Sequence, residues 1–106
     1  MKIKNAAEIL IVLQKTYDQK LPAKSAYKIM RVAKVLEPEY TFYAKKVSEI
    51  IKEYASGTEE YKKAMADLDE IDSEIEVPKI KLSDIESLSL TPKEIYILEP
   101  IIEEES

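Results

Sequence analysis

One pattern of apolar residues dominates the middle of the chain. Apolar side chains recur at alternating intervals of three and four, at Ala26, Ile29, Ala33, Leu36, Tyr40, Tyr43, Val47, Ile50 and Tyr54. This heptad stripe predicts one long amphipathic helix over residues 22–55, with Pro22 in its first turn. Because Pro38 lies inside the stripe without shifting its phase, we expect a kinked helix at that point and not a loop.

The residues before this helix are apolar on more than one face. The run Ile9-Leu10-Ile11-Val12-Leu13 is uninterrupted, and Tyr17 follows it. A helix that is apolar nearly all round is usually buried, so we predict a central helix over residues 6–18. Asn5 precedes Glu8 by three residues, which is the spacing of a capping box at a helix start.

The segment Ala55-Ser56-Gly57-Thr58 separates the long helix from a third one. Gly57 suits the end of the first of these helices, and Thr58 suits the N-cap of the next, which we predict over residues 58–71. Its apolar face consists of Tyr61, Met65 and Leu68, and Ile71 could extend it. Because the connection is short, the two helices should run antiparallel and form a helical hairpin.

Apolar and charged residues alternate after about Asp72. The apolar members of this pattern are Ile75, Val77, Ile80 and Leu82. We interpret residues 74–82 as a kinked edge strand, in which Pro78 occupies a position that need not donate a hydrogen bond. The only other alternating segment is residues 1–4, so these two segments are expected to pair.

Two further capping-box spacings lie near the C-terminus. Ser83 and Glu86 open a single helical turn, and Thr91-Pro92-Lys93-Glu94 starts a helix that we predict over residues 92–99. The acidic tail Glu103-Glu104-Glu105-Ser106 is expected to be solvated.

These elements together predict one domain over residues 1–106. Its expected fold is mainly α with a minor β part. A long helical hairpin packs on a buried N-terminal helix, and a small two-stranded β element and a short C-terminal helix complete it.

The composition narrows the chemistry available to the chain. Its 106 residues include no histidine, no cysteine and one glycine. Disulfides, zinc sites built from histidine and cysteine, imidazole-dependent triads and glycine-rich phosphate loops are therefore excluded. Carboxylates, lysines and tyrosines remain, and none stands in a pattern typical of catalysis. We expect no enzymatic activity and no cofactor.

The acidic segment after Asp67 could be taken for a calcium loop. Counted from Asp67, the fifth ligand position of an EF-hand is Ile71 and the glycine position is Asp72. Because both positions carry the wrong residue, we expect no bound metal.

No stretch of the chain predicts a signal peptide or a membrane span. Glu8 interrupts the apolar run near the N-terminus, and no run approaches the roughly 20 apolar residues that a membrane-spanning helix requires. We expect no membrane partner. A cytoplasmic location is the default, with the virion as the alternative if the chain is a virion component.

Basic and acidic residues are distributed unequally along the chain. Residues 1–66 hold 13 basic and 8 acidic residues, whereas residues 67–106 hold 3 and 13. Lys24, Lys28 and Arg31 share one helix face. The acidic candidates are Asp67, Asp69, Glu70 and Asp72.

Three interpretations of this asymmetry remain open. The two halves could neutralise each other, within one chain or between copies. The acidic half could imitate the charge of DNA and block a nucleic-acid enzyme. The basic face could follow a phosphate backbone, although a pI near 4.9 opposes general nucleic-acid affinity.

Aromatic residues supply a second set of candidates for binding a partner. Tyr40 and Tyr43 lie on the heptad stripe and Phe42 lies between them. Interior packing explains such residues, but tyrosine is also common at binding hot spots. Because the third helix is shorter than the stripe, the uncovered part could also contact a second copy of the chain.

Three segments together resemble a known family. They are Met1-Lys2-Ile3-Lys4-Asn5, then Lys20-Leu21-Pro22-Ala23-Lys24-Ser25-Ala26-Tyr27-Lys28-Ile29, and Ile80-Lys81-Leu82-Ser83-Asp84-Ile85-Glu86 before Leu90-Thr91-Pro92. Their order is similar to that of a group of small proteins of unknown function encoded by tailed bacteriophages and prophages. The chain departs from that group in its short connection around Gly57. The resemblance implies a phage context and carries over no functional residue.

Two functions follow as expectations. The first is a phage accessory protein that binds a phage structural protein, in virion assembly or in the virion. The alternative is an inhibitor of a host defence or nucleic-acid enzyme, acting through the acidic surface.

Overall fold

The fold is mainly helical, as the apolar pattern predicts. The computed structural model describes residues 1–103. Its helices are α1 (Ile3–Lys15), α2 (Ala23–Glu53), α3 (Glu59–Asp69), α4 (Leu82–Ile85) and α5 (Pro92–Leu98), which a 3₁₀ turn (Glu99–Ile101) follows. Two short strands, β1 (Ile80–Lys81) and β2 (Ile102–Glu103), complete it. The predicted fold class is confirmed: a long helix packs on the N-terminal helix, beside a two-stranded sheet and a short C-terminal helix.

Helix α1 lies at the centre of the hydrophobic core. Its buried residues are Ile3, Ala6, Ala7, Ile9, Leu10, Val12 and Leu13. Helix α2 covers one side of α1, α5 covers another, and the end of α3 meets its first turn. The core continues through Ile80, Ile85, Leu98 and Ile101, so β1, α4, α5 and the 3₁₀ turn each contribute a buried residue to the cluster that contains α1.

Helix α2 contributes to the core along only part of its length. Its fully buried residues are Ile29, Val32, Ala33 and Leu36. The helix continues without interruption through Pro38, so no loop breaks it. Beyond Pro38 it has no fully buried residue, and the heptad positions there are half-covered. In α3, which lies against α2, only Leu68 is fully buried.

The first turn of α1 is stabilised differently from the sequence prediction. The helix starts at Ile3, so Asn5 and Glu8 lie inside it and form no capping box. The amide of Ile3 instead donates to the carbonyl oxygen of Ile71 at 2.8 Å, and the carbonyl of Met1 accepts from Ser73 at 2.9 Å. Backbone groups after α3 therefore replace the expected side-chain cap.

The predicted starts at Thr58 and Thr91 have the expected side-chain partners. The hydroxyl of Thr58 accepts from the amide of Tyr61 at 3.2 Å. Thr91 and Glu94 bond reciprocally, at 2.9 and 3.1 Å between backbone amide and side-chain oxygen. In α4 the cap differs, because the carboxylate of Asp84, not Glu86, accepts from the amide of Lys81 at 2.9 Å.

The predicted strand pairing is wrong. Residues 3 and 4 are helical, and only Lys2 forms a bridge, antiparallel to Asp72. Of residues 74–82, only β1 is a strand, and it pairs in parallel with β2, with Ile80 opposite Ile102. Pro78 has no amide hydrogen to donate to a longer ladder. Residues 3 and 4 cannot pair as a strand because α1 already begins at Ile3. Of the predicted solvated tail, Glu103 is exposed and residues 104–106 lie outside the described part.

Substitutions of a core residue and of a surface residue of α1 should differ strongly in their effect on stability. Leu13→Ala should lower the free energy of unfolding by about 3 kcal/mol, because it leaves a cavity in the centre of the core. Ile11→Ala is the matched control on the same helix, since Ile11 is 43% exposed, and it should cost at most about 1 kcal/mol. Urea denaturation measures both. Equal losses would contradict the central position of α1.

Glycine should be favoured at position 57 because of its backbone conformation and not because space is short around it. Its φ is +86°, and a Cβ at this position would have no atom within 4 Å. Gly57→Ala should therefore cost about 1 kcal/mol through backbone strain, and Gly57→Asn should cost less, since asparagine tolerates positive φ. Thermal unfolding of both variants measures the difference. An alanine variant as stable as the wild type would refute this explanation.

Candidate protein-binding surfaces

Most of the acidic candidates lie against the N-terminal lysines of the same chain. The ammonium of Lys2 is 3.5 Å from Oε2 of Glu70 and 3.2 Å from Oδ1 of Asp72, and that of Lys4 is 3.7 Å from Oδ2 of Asp69. The pKa of Lys2 is raised, chiefly by its hydrogen bond to Asp72. The structure thus neutralises three of the four acidic candidates within the chain. Asp67 is exposed.

The basic candidates lie along one side of α2, and one of them is paired. Lys28 approaches Oδ2 of Asp84 at 3.3 Å, and the hydroxyl of Ser25 donates to the same carboxylate at 3.3 Å. Lys24 is exposed, and the guanidinium of Arg31 lies 6.0 Å from the ring centre of Tyr27. The ion pair between Lys28 and Asp84 therefore links α2 to α4.

The aromatic candidates do not form one patch. The hydroxyl of Tyr43 donates to Oδ1 of Asp69 at 3.0 Å, which joins α2 to α3. Burial and this carboxylate raise the pKa of Tyr43 to about 12. Tyr40 is half-buried against the core, while Phe42 is exposed beside the ammonium of Lys46, 5.7 Å from its ring centre. Only Phe42 is available to a partner without rearrangement.

The C-terminal elements form a groove that the sequence analysis did not identify. We call it the C-terminal groove. It has a volume of about 910 Å³ and lies between the first turns of α1, the loop before β1, and α5 with the turn that follows it. Its lining residues are Asn5, Glu8, Lys79, Leu82, Ile95, Tyr96, Ile97, Glu99, Pro100, Ile102 and Glu103.

The lining combines an apolar surface with mostly negative charge. Leu82 is 51% exposed and Tyr96 is 75% exposed, so water contacts both large side chains. Among residues 1–103, carboxylates contribute three charged groups to the lining, and Lys79 contributes the single positive one. The groove is therefore suited to a ligand that is both apolar and positively charged.

Helix α5 explains why this groove remains open. Its segment Ile95-Tyr96-Ile97-Leu98 is apolar in four consecutive positions, which point to all sides of a helix. Only Leu98 is fully buried against α1, and Pro100 prevents the helix from extending further. An apolar run longer than one face of a short helix was the sequence signal for this surface.

Comparisons of the chain with protein-family models, with curated proteins and with solved structures find no match. Over residues 1–103, no helix is both long and apolar enough to cross a membrane. The same part of the chain contains no group of three or more acidic side chains arranged to hold a metal ion.

The carboxylate of Asp84 should make the stability depend on pH. Its pKa is lowered, first by the backbone amide of Lys81 and then by Lys28. A lowered pKa in the folded state adds stability that is present above the unfolded pKa, about 4, and is lost as the pH falls through the folded value. Asp84→Asn should therefore be less stable than wild type at neutral pH and converge with it in acid.

Urea denaturation between neutral and strongly acidic pH measures this difference. Asp67→Asn is the matched control, because Asp67 is exposed on α3. Its stability should follow that of the wild type at every pH. A gap between wild type and Asp84→Asn that stays constant into acid would show that the carboxylate acts by packing and not by charge.

Proposed function

We propose that this protein acts without catalysis, by binding another protein, and that the C-terminal groove receives an apolar, positively charged segment of that partner. The observation that carries the proposal is the groove itself, which places large exposed apolar side chains beside a negatively charged rim. Such surfaces on small proteins are typical of interaction sites.

The apolar part of the groove would provide most of the affinity. Burying Leu82 and Tyr96 removes apolar area from water, which contributes roughly 25 cal/mol for each Å². Tyrosine is also rigid and loses little conformational freedom when a partner covers it. These two residues are the expected anchors of the interface.

The charged rim would select the partner. Glu8, Glu99 and Glu103 outnumber Lys79 at the groove. Lysine or arginine side chains on the partner would meet opposite charge there, which increases the rate of association and discriminates against acidic segments. The same charges make binding sensitive to salt.

The resemblance to phage proteins suggests which class of protein the partner belongs to. The partner would then be a phage structural protein, bound during virion assembly or in the virion. Inhibition of a nucleic-acid enzyme through an acidic surface has less support, because Lys2 and Lys4 are paired with three of the four carboxylates that would imitate DNA.

Titration with defined peptides tests the proposal. The probes are a peptide of alternating leucine and lysine and a counterpart of alternating leucine and glutamate. In two-dimensional NMR spectra, the basic peptide should shift the amide signals of residues that line the groove, above all those of Leu82, Ile95 and Tyr96. The acidic peptide should not shift them. Equal binding of both peptides, or shifts confined to another surface, would refute the proposal.

Substitutions should confirm the location of binding. Tyr96→Ala should weaken binding of the basic peptide at least about tenfold, equivalent to 1.4 kcal/mol, because it removes an anchor. Tyr27→Ala is the matched control, since Tyr27 is also exposed but lies on α2, away from the groove. It should bind like the wild type. Neither change should alter the helical content, as both side chains are exposed.

A further inference from the structure

Helix α2 carries a second heptad stripe on its solvent side. Met30, Glu37, Ala44 and Ile51 follow one another at intervals of seven residues, and all four are exposed. We call them the outer stripe. Intervals of seven keep residues on nearly the same helix face. Its two large apolar members lie near opposite ends of the helix, with Met30 41% and Ile51 57% exposed.

A groove lies at the Met30 end of the outer stripe. It has a volume of about 450 Å³ and is bounded by α2 and by the segment that connects α1 to α2. We call it the α1–α2 groove. Ala26, Ala33 and Met30 contribute from α2, and Tyr17 and Leu21 contribute from the opposite wall. Small residues on the helix leave room there for an apolar side chain.

At the other end of the outer stripe, the side chain of Ile51 projects into solvent. Of the residues about one turn away, Val47 and Tyr54 are half-buried and Ser48 is small and exposed, so Ile51, at 57% exposure, projects beyond them. Ile51 lies 21 positions after Met30, which is about 32 Å along the helix axis at 1.5 Å per residue. The groove and the projection thus occupy the same face of one helix at a fixed separation.

We propose that the protein forms a two-fold symmetric dimer through the outer stripe. Helix α2 runs antiparallel to its copy, and Ile51 of each subunit enters the α1–α2 groove of the other. Two-fold symmetry requires a self-complementary surface, in which every contact occurs twice. A projection and a groove on the same helix face satisfy this requirement, because reversing the direction of one copy brings each to the other.

Charges along the stripe agree with this register. When Ile51 lies over Met30 of the partner subunit, position 37 lies opposite position 44 of that copy. Glu37 then comes next to Lys45 of the partner subunit, and symmetry repeats the pair. Glu37 also lines the α1–α2 groove, so its carboxylate lies at the groove. The pKa of Tyr17, on the opposite wall, is raised first by burial and then by the charge of Glu37.

Small side chains would let the two helices approach closely. Ala44 lies along the contact, and Ser48 flanks it. Short side chains on both helices shorten the distance between helix axes and increase the contacts between them.

Sedimentation velocity over a range of concentrations tests the dimer. The wild type should pass from monomer to dimer as its concentration rises. Ile51→Glu should raise the dissociation constant at least about tenfold, because it replaces the apolar side chain that fills the groove with a charged one beside Glu37. Phe42→Glu is the matched control, since Phe42 is exposed on the opposite side of α2, and it should dimerise like the wild type.

Charge reversal tests the register. Glu37→Lys and Lys45→Glu should each weaken the dimer, and the double variant with both changes should regain the wild-type dissociation constant. A wild type that stays monomeric up to about 1 mM would overturn the proposal, because a dissociation constant above that concentration does not describe a specific dimer. Dimerisation that survives Ile51→Glu would do so as well, as would a double variant weaker than both single ones.

This proposal is independent of the function assigned to the C-terminal groove. That groove is formed by other elements, and Ile51→Glu should leave its binding of the leucine–lysine peptide unchanged. Likewise, Tyr96→Ala should leave the monomer–dimer equilibrium unchanged. Failure of one proposal therefore does not affect the test of the other.

Discussion

Helix α1 must be covered on several sides, because apolar residues occupy most of its circumference and cannot face water together without a large free-energy cost. This constraint organises the other elements. The first half of α2, α5 and the short strand β1 each contribute buried residues to the core cluster around it, and the carbonyl of Ile71 completes its first turn. The core therefore lies around one helix, near one end of a molecule 46 Å long.

The same constraint leaves apolar residues elsewhere without cover. Helix α2 has 31 residues, and α1, with 13, reaches only part of it. Beyond Tyr40 the outer half lies against the shorter helix α3, and Ile51 remains exposed. Helix α5 meets α1 through Leu98 and leaves Tyr96 in water. Both proposed interfaces lie where the chain has more apolar surface than its core can accommodate.

The sequence predicted the elements that depend on local signals and missed those that depend on tertiary contacts. The heptad stripe and the Thr58 and Thr91 caps are local, and the helices appear where these signals place them. The pairing of β1 with β2 depends on where Pro100 directs the chain, which no short pattern shows. Likewise, only the fold could reveal that Lys2 pairs with Glu70 and Asp72. The apolar run of α5 signals an exposed surface, but the elements that form a groove with it are visible only in the structure.

Exchange of backbone amide hydrogens, followed by NMR in dilute solution, tests the central position of α1 most directly. The slowest amides should lie in α1, between Ile9 and Leu13, and in the part of α2 that packs on it, between Val32 and Leu36, because these exchange only on global unfolding. Amides of α2 beyond Ala44 and those of α3 should exchange faster. Equal protection along the whole of α2 and α3 would contradict a core organised around α1.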